Sequence, residues 1–205
     1  PQLSHMAKRT KAALKADKLE VVADRGYFKS EEILACEEAG ITVTLPKPQT
    51  SGIKAKGRFG KQDFVYIAQD DVYRCPAGER LVWRFTNREK DLTLHRYWTT
   101  ACHTCAIKDQ CTTDKQRRIT RWQHEHVLEA VQRRLDEHPE KMRQRRETVE
   151  HPFGTIKSWM GYTHFQMKTL KHVGTEMALH VLAYNLKRVM KILGIAPLIA
   201  AMKAA

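Results

Sequence analysis

The sequence has no apolar opening segment, no run long enough to cross a bilayer and no internal repeat. Residues 1–20 are polar and lysine-rich, the reverse of a secretory leader with its apolar centre. The most apolar stretch, Ile192 to Met202, is interrupted by Pro197 and is shorter than the about 20 residues a spanning helix needs. Acids are scarce beside bases: 23 Asp and Glu stand against 36 Lys and Arg, a formal charge of +13. Cysteine is sparse, with five in the chain, too few for a dense disulfide framework. The reading that follows is a cytoplasmic, nucleoid-associated chain with no membrane partner, its thiols used for metal or for burial. The excess of bases favours a polyanion, because each Lys or Arg that replaces a counterion on a phosphate gains affinity. Nucleic acid is the partner this favours over an anionic membrane surface, the alternative being a soluble basic protein. With 42% hydrophobic residues, a real core is available.

Along the chain, Met6 to Ala16 reads as a basic helix. Leu19 to Asp24 follows as a short β-branched strand that ends at the turn Arg25-Gly26-Tyr27. Ser30 is placed to cap a helix with early acids at Glu31 and Glu32, Gly40 closes it, and Ile41 to Leu45 is a second strand. This helix–strand–helix–strand rhythm predicts an α/β fold with a largely parallel sheet. Pro46 to Lys61 is a loop. Short alternating runs then predict antiparallel ribbons: Phe64–Ile67, Val72–Arg74, Leu81–Phe85 and Leu92–Leu94. From Gln123 onward the chain is helical, with helices over His126–Asp136, Lys141–Met160 and Leu170–Leu193. The last carries an apolar face of Val173, Met177, Leu179, His180, Ala183, Leu186 and Met190. The organisation is thus 1–45, an α/β beginning; 46–122, a β-rich cysteine-containing insertion; and 123–205, C-terminal helices.

Two carboxylates draw attention. Asp24 sits at the C-terminal end of a strand, the rim where open α/β sheets bind ligands; it is either a metal ligand or a turn-former capping the next amides. Glu150 shares a stripe with Arg143, Arg146 and Lys157 at 3.6 residues per turn. One acid among bases suits metal and phosphate binding, and it also suits a solvated ion-pair face. Pro152 predicts a kink just past it. Cys75, Cys102, Cys105 and Cys111 are spaced C-x26-C-x2-C-x5-C, which fits a tetrahedral zinc site or a set of buried thiols. The insert is small enough that a metal would help hold it together. His95 and His103 are reserve ligands, and Cys36 is a core residue. The bases Lys54, Lys56, Arg58 and Lys61 form a cationic loop that either clamps DNA or is solvated. Trp159 and Tyr162 are read as core rings before base-stacking ones.

Several of these segments together resemble the DDE transposases of insertion sequences, which have an RNase H-like catalytic domain. Val22-Ala23-Asp24-Arg25-Gly26-Tyr27 is similar to the strand end that carries their second acid. Arg146-x3-Glu150-x6-Lys157 resembles part of their third motif, and Val149-Glu150-His151-Pro152-Phe153-Gly154 matches one branch closely. Gly161-Tyr162-Thr163-His164-Phe165, then Glu176 and Ala183-Tyr184-Asn185-Leu186-Lys187-Arg188, continue the likeness, which spans residues 3–194. One departure is Arg143, which stands where the longer signature has a tyrosine.

The resemblance implies that residues 1–45 are a partial RNase H-like core and that 123–205 complete the catalytic domain. It implies two Mg²⁺ or Mn²⁺ ions, with Asp24 as the second acidic ligand and Glu150 as the third. Arg146 and Lys157, with Arg143 nearby, would hold DNA phosphates. The family's first aspartate has no match, since Asp17 and Glu20 do not fit. The chain is therefore expected to begin inside the catalytic domain and to cleave little or no DNA. The implied parent cuts and rejoins DNA at transposon ends and targets, with self-association as a further expectation. The rival reading is a non-catalytic DNA-binding protein or regulator of transposition that uses a zinc-stabilised insert.

Overall fold

The computed structural model describes residues 2–48, 52 and 54–204, in two compact units, Pro1–His138 and Pro139–Ala205. Of the expected loop 46–61, residues 49–51 and 53 lie outside the described residues. The chain is mixed α/β, and no helix among the described residues is long and apolar enough to cross a membrane.

In the first unit, α1 (Leu3–Leu14) buries Leu3 and Ala7, one turn apart on one face, and leaves Lys8 and Arg9 to solvent. Its first turn is closed by another helix. The Glu32 carboxylate accepts both the backbone N–H and the hydroxyl of Ser4 at 2.9 Å. At the other end the Lys11 ammonium donates to the Ala39 carbonyl at 2.7 Å, two residues past the end of α2 (Ser30–Glu37). The two helices therefore run side by side in the same direction. Ser30 is the first residue of α2 and not its cap; Lys29 holds the cap position and makes no side-chain cap bond. Gly40, at φ +63°, turns the chain out of α2 as expected.

β1 (Leu19–Val22) pairs in parallel with β2 (Ile41–Thr44), with Leu19 opposite Ile41 and Val22 opposite Thr44. A parallel pair needs a crossover, and α2 supplies it. α3 (Glu125–Glu137) packs on β2 and α2. The core they close holds Ile33, Cys36, Ile41, Val43, Leu45, Val127, Leu128 and Val131. Cys36 is fully buried, as the sequence suggested.

Between these elements lies a five-stranded antiparallel meander in the order β3 (Val65–Ile67), β4 (Val72–Arg74), β5 (Arg80–Glu89), β6 (Leu92–Trp98) and β7 (Ile119–Trp122). The ribbons expected from alternation are present, but β5 and β6 are longer than their apolar runs. Their two-residue turn, Lys90-Asp91, has φ of +48° and +64°. Positive φ at both positions is the hairpin geometry that fits strand twist. β7 was not expected from the sequence. Phe64, Tyr73, Leu81, Tyr97 and Ile119 form a second core under the sheet, and Trp122 at the end of β7 enters the first.

In the second unit the chain is helical from Glu140 to Trp159, as α4 (Glu140–Arg145), a π turn (Arg146–Glu150), α5 (His151–Gly154) and a second π turn (Thr155–Trp159). Pro152 lacks a donor and crowds the carbonyl four residues back; the π turn just before it takes up that mismatch. α6 (Leu170–Leu193) has the expected bounds, followed by α7 (Ile195–Ala204). Its expected apolar face is largely exposed, Leu179, Leu186 and Met190 included, and the side chains it buries are Glu176 and His180.

Candidate active site and thiol pocket

Asp24 stands two residues past β1, at the rim of the parallel pair, and is exposed. It caps the 3₁₀ turn Arg25–Tyr27, with Oδ1 accepting the Arg25 N–H at 2.8 Å. The turn-forming role is thus present, at the sheet edge where a ligand would also be met.

Glu150 closes the first π turn, exposed, and accepts a 2.8 Å bond from Arg145. The basic stripe differs from the one inferred at 3.6 residues per turn. Two π turns, at 146–150 and 155–159, widen the helix and shift every later side chain around its axis. The base beside Glu150 is accordingly Arg145. Arg143 lies 3.9 Å from Glu147, one turn away. Arg146 and Lys157 are exposed. Trp159 is 85% exposed and is not a core ring. Tyr162 stacks on His180 with ring centroids 3.5 Å apart. The loop between the helices is fastened by Glu176, whose carboxylate accepts the N–H groups of Gln166 and Met167 at 2.9 Å. Those two bonds hold the Glu176 carboxyl below the usual glutamate range.

The cationic loop is partly structural. Lys61 is engaged within the fold: its ammonium meets the Glu125 carboxylate at 2.6 Å, and Glu125 also accepts the Trp122 N–H at 3.0 Å. Burial works against both charges and pulls the Lys61 ammonium below the usual lysine range. For Glu125, burial is outweighed by Lys61 and by the Trp122 N–H, so its carboxyl lies below the usual glutamate range. Glu125 has two donors and is buried, and its direction governs the acid side. Arg58 donates to the Asp109 carbonyl at 3.3 Å.

Cys75, in the β4–β5 turn, and Cys102, Cys105 and Cys111, in the connection between β6 and β7, all line one small apolar cavity of about 20 Å³. The turn at Cys75 depends on Gly78, at φ +86°, whose N–H bonds the Cys75 carbonyl at 2.9 Å. All four thiols are free, and burial pushes the Cys111 thiol up. Among the described residues, no group of three or more His, Cys, Asp and Glu side chains is arranged as a metal site. The two histidines held in reserve do not line this cavity. His103 is exposed, and His95 bonds Thr86 at 2.7 Å elsewhere on the sheet.

A larger cleft of about 560 Å³ opens on the sheet, walled by Tyr66, Trp83, His95, Tyr97, Trp122 and His126 with Asp71 and Arg121. Asp71 accepts the hydroxyls of Tyr66 and Tyr97, each at 2.7 Å. The Arg121 guanidinium lies 3.6 Å from the Tyr66 ring centroid, donates to Tyr73 and pairs with Glu129. Burial pushes the Tyr73 hydroxyl up to about 12 and raises that of Tyr97 further, so both phenols are neutral at ordinary pH, Tyr97 donating to Asp71 and Tyr73 accepting from Arg121.

A family model described as a transposase DDE domain matches residues 74–190. The chain belongs to the transposase DDE domain family. No curated protein and no solved structure matches it. The matched stretch of this transposase chain includes the four pocket cysteines, Arg143, Arg146, Glu150 and Lys157; Asp24 lies outside it.

Sequence reasoning missed the cleft of the transposase chain. Its residues come from four strands, the turn before β4 and the start of α3, and only sheet register joins them. The nearest local signal is the pair of short runs holding Tyr66 and Tyr73, which face each other across β3 and β4.

Proposed function

We propose that this transposase chain takes part in cutting and rejoining DNA strands at insertion-sequence ends by metal-dependent phosphoryl transfer. In this reading Asp24 and Glu150 are two of the acids of an RNase H-like site. The single observation that carries it is the family match over 74–190, which contains Glu150 and its basic neighbours. The β1–α2–β2 unit with α3 packed against it supports an RNase H-like domain interrupted after β2 by the five-stranded sheet. In this reading the cysteine segment inside that insert is stabilised by zinc.

The donor set fits hard divalent cations. Both carboxylates are exposed oxygen ligands, the chemistry that Mg²⁺ and Mn²⁺ select. When bound, such ions activate the attacking oxygen and stabilise the leaving one. The chain's own residues do the rest. Arg146 and Lys157 hold strand phosphates, Arg143 extends that contact, and Arg145 orients the Glu150 carboxylate. DNA is the partner, and a second copy of the chain is a further one.

The reading assigns two acids, Asp24 and Glu150, where the chemistry uses three, so the expected behaviour is binding without nicking. Labelled duplex titrated at several salt concentrations should show affinity falling with a log–log slope of about −0.9 per phosphate contacted. The same complex should stay intact with Mg²⁺ or Mn²⁺. Salt-independent or absent duplex binding would overturn the DNA reading. Metal-dependent nicking lost in Asp24→Ala would reveal a further acid. A regulator that only occupies DNA would bind equally well with Glu150→Gln and no divalent ion.

A further inference from the structure

We propose that Cys75, Cys102, Cys105 and Cys111 bind one zinc ion and that Arg117 is the positioning residue that balances the charge of that thiolate site. The inference deepens the proposed zinc-stabilised insert and rests on that reading. Its first support is convergence. Four thiols brought from two separate connections of the sheet line one cavity of about 20 Å³, room for little more than a single ion or water. The rest of the lining is largely apolar, with Phe64, Leu81 and Ile107, so water competes poorly for the site.

The second support is independent of the cysteines. Arg117 lines the same cavity, its guanidinium 5.6 Å from the Phe64 ring centroid, and its Nε is buried with no hydrogen-bond partner. A buried donor without an acceptor is costly, and a neutral thiol is a poor acceptor. A zinc tetrathiolate removes that mismatch. Zn²⁺ and four thiols give a site of net charge −2, and the four protons go to solvent. The sulfurs then become charged acceptors, and the Arg117 N–H donates to one of them, an outer-shell contact of the kind that orients metal ligands. The four thiols line the cavity without being arranged as a metal site, so binding would draw the sulfurs in from the walls to about 2.3 Å from the ion. The ion ties the β4–β5 turn to the β6–β7 connection, whose only regular structure among the described residues is two 3₁₀ turns. That segment has little core of its own, so the metal supplies the cross-link.

The experiment uses the full chain purified without added metal. Zinc is measured by elemental analysis, cobalt is substituted and its absorption recorded, and zinc affinity is obtained by chelator competition. Cys105→Ser, Arg117→Gln and Arg117→Lys are carried through the same steps. The expected result is about one zinc per chain and a tetrahedral thiolate spectrum with cobalt, both lost in Cys105→Ser. Arg117→Gln keeps the stoichiometry and binds zinc about 10- to 100-fold more weakly, and Arg117→Lys, which restores the charge, recovers part of that loss. Zinc below about a tenth of an equivalent in the wild-type chain, or thiols found paired as disulfides, overturns the zinc site itself. A full zinc complement with Arg117→Gln within about twofold of wild type overturns the role of Arg117 and leaves the site standing.

Discussion

At the scale of single residues, the chain uses carboxylates, two of them buried, to close backbone ends that its own segments leave open. Glu32 does so for α1, Glu125 for the last residue of β7 and Glu176 for the loop before α6. Each carboxyl is held below the usual glutamate value of 4.5. The sign follows from that direction. A depressed folded pKa contributes stability that is present above the unfolded pKa and lost as pH falls through the folded one. Thermal stability should therefore hold near neutral pH and drop below the ordinary carboxylate range. Glu125→Gln should lower stability at pH 7 by about 1–3 kcal/mol, because it leaves Lys61 half-buried beside a neutral amide. That variant should lose less on acidification than wild type, as melting curves from pH 7 to 3 would reveal; parallel curves would contradict the assignment. Asp71 offers a second test. Asp71→Asn keeps an acceptor for Tyr66 and Tyr97 and tolerates the φ of +51°, whereas Asp71→Ala orphans the buried Tyr97 hydroxyl. The alanine variant should cost about 1–2 kcal/mol more than the asparagine one in urea unfolding.

Among elements, much was legible where a local rule is enough. α6 runs over the residues its periodicity gave, and Gly40 ends α2 in the left-handed conformation expected of it. Gly40→Ala should lower stability by about 1 kcal/mol, since a side chain resists that conformation. Equal melting of the two proteins would mean that the turn relaxes. The hairpin β5–β6 was only half legible because its turn is Lys90-Asp91, without the glycine or asparagine that usually marks such a turn. β7 escaped notice because Ile119-Thr120-Arg121-Trp122 follows a basic run and carries a buried arginine, which reads as surface until Glu129 is seen beside it. The stripe around Glu150 was misread for a different reason: periodicity assumes an α-helix, and π turns are not visible in a pattern of residue types.

Across the whole molecule, the candidate acids and the thiol set were legible from motif and spacing, while the aromatic cleft was not. Asp24, Glu150 and the four cysteines each sit in short segments with recognisable wording. The cleft exists only through the register of a sheet that spans residues far apart in sequence. The charge of +13 remains the broadest functional signal, and it accords with the transposase family match over 74–190. The measurement that bears most directly on the account is Mn²⁺ binding to the chain–DNA complex, followed by electron paramagnetic resonance in wild type, Asp24→Asn and Glu150→Gln. The account requires bound Mn²⁺ in the wild-type complex and at least a tenfold weaker signal, on the order of the ~1.4 kcal/mol that a lost ligand must exceed, in each variant. Equal Mn²⁺ binding by all three would contradict it.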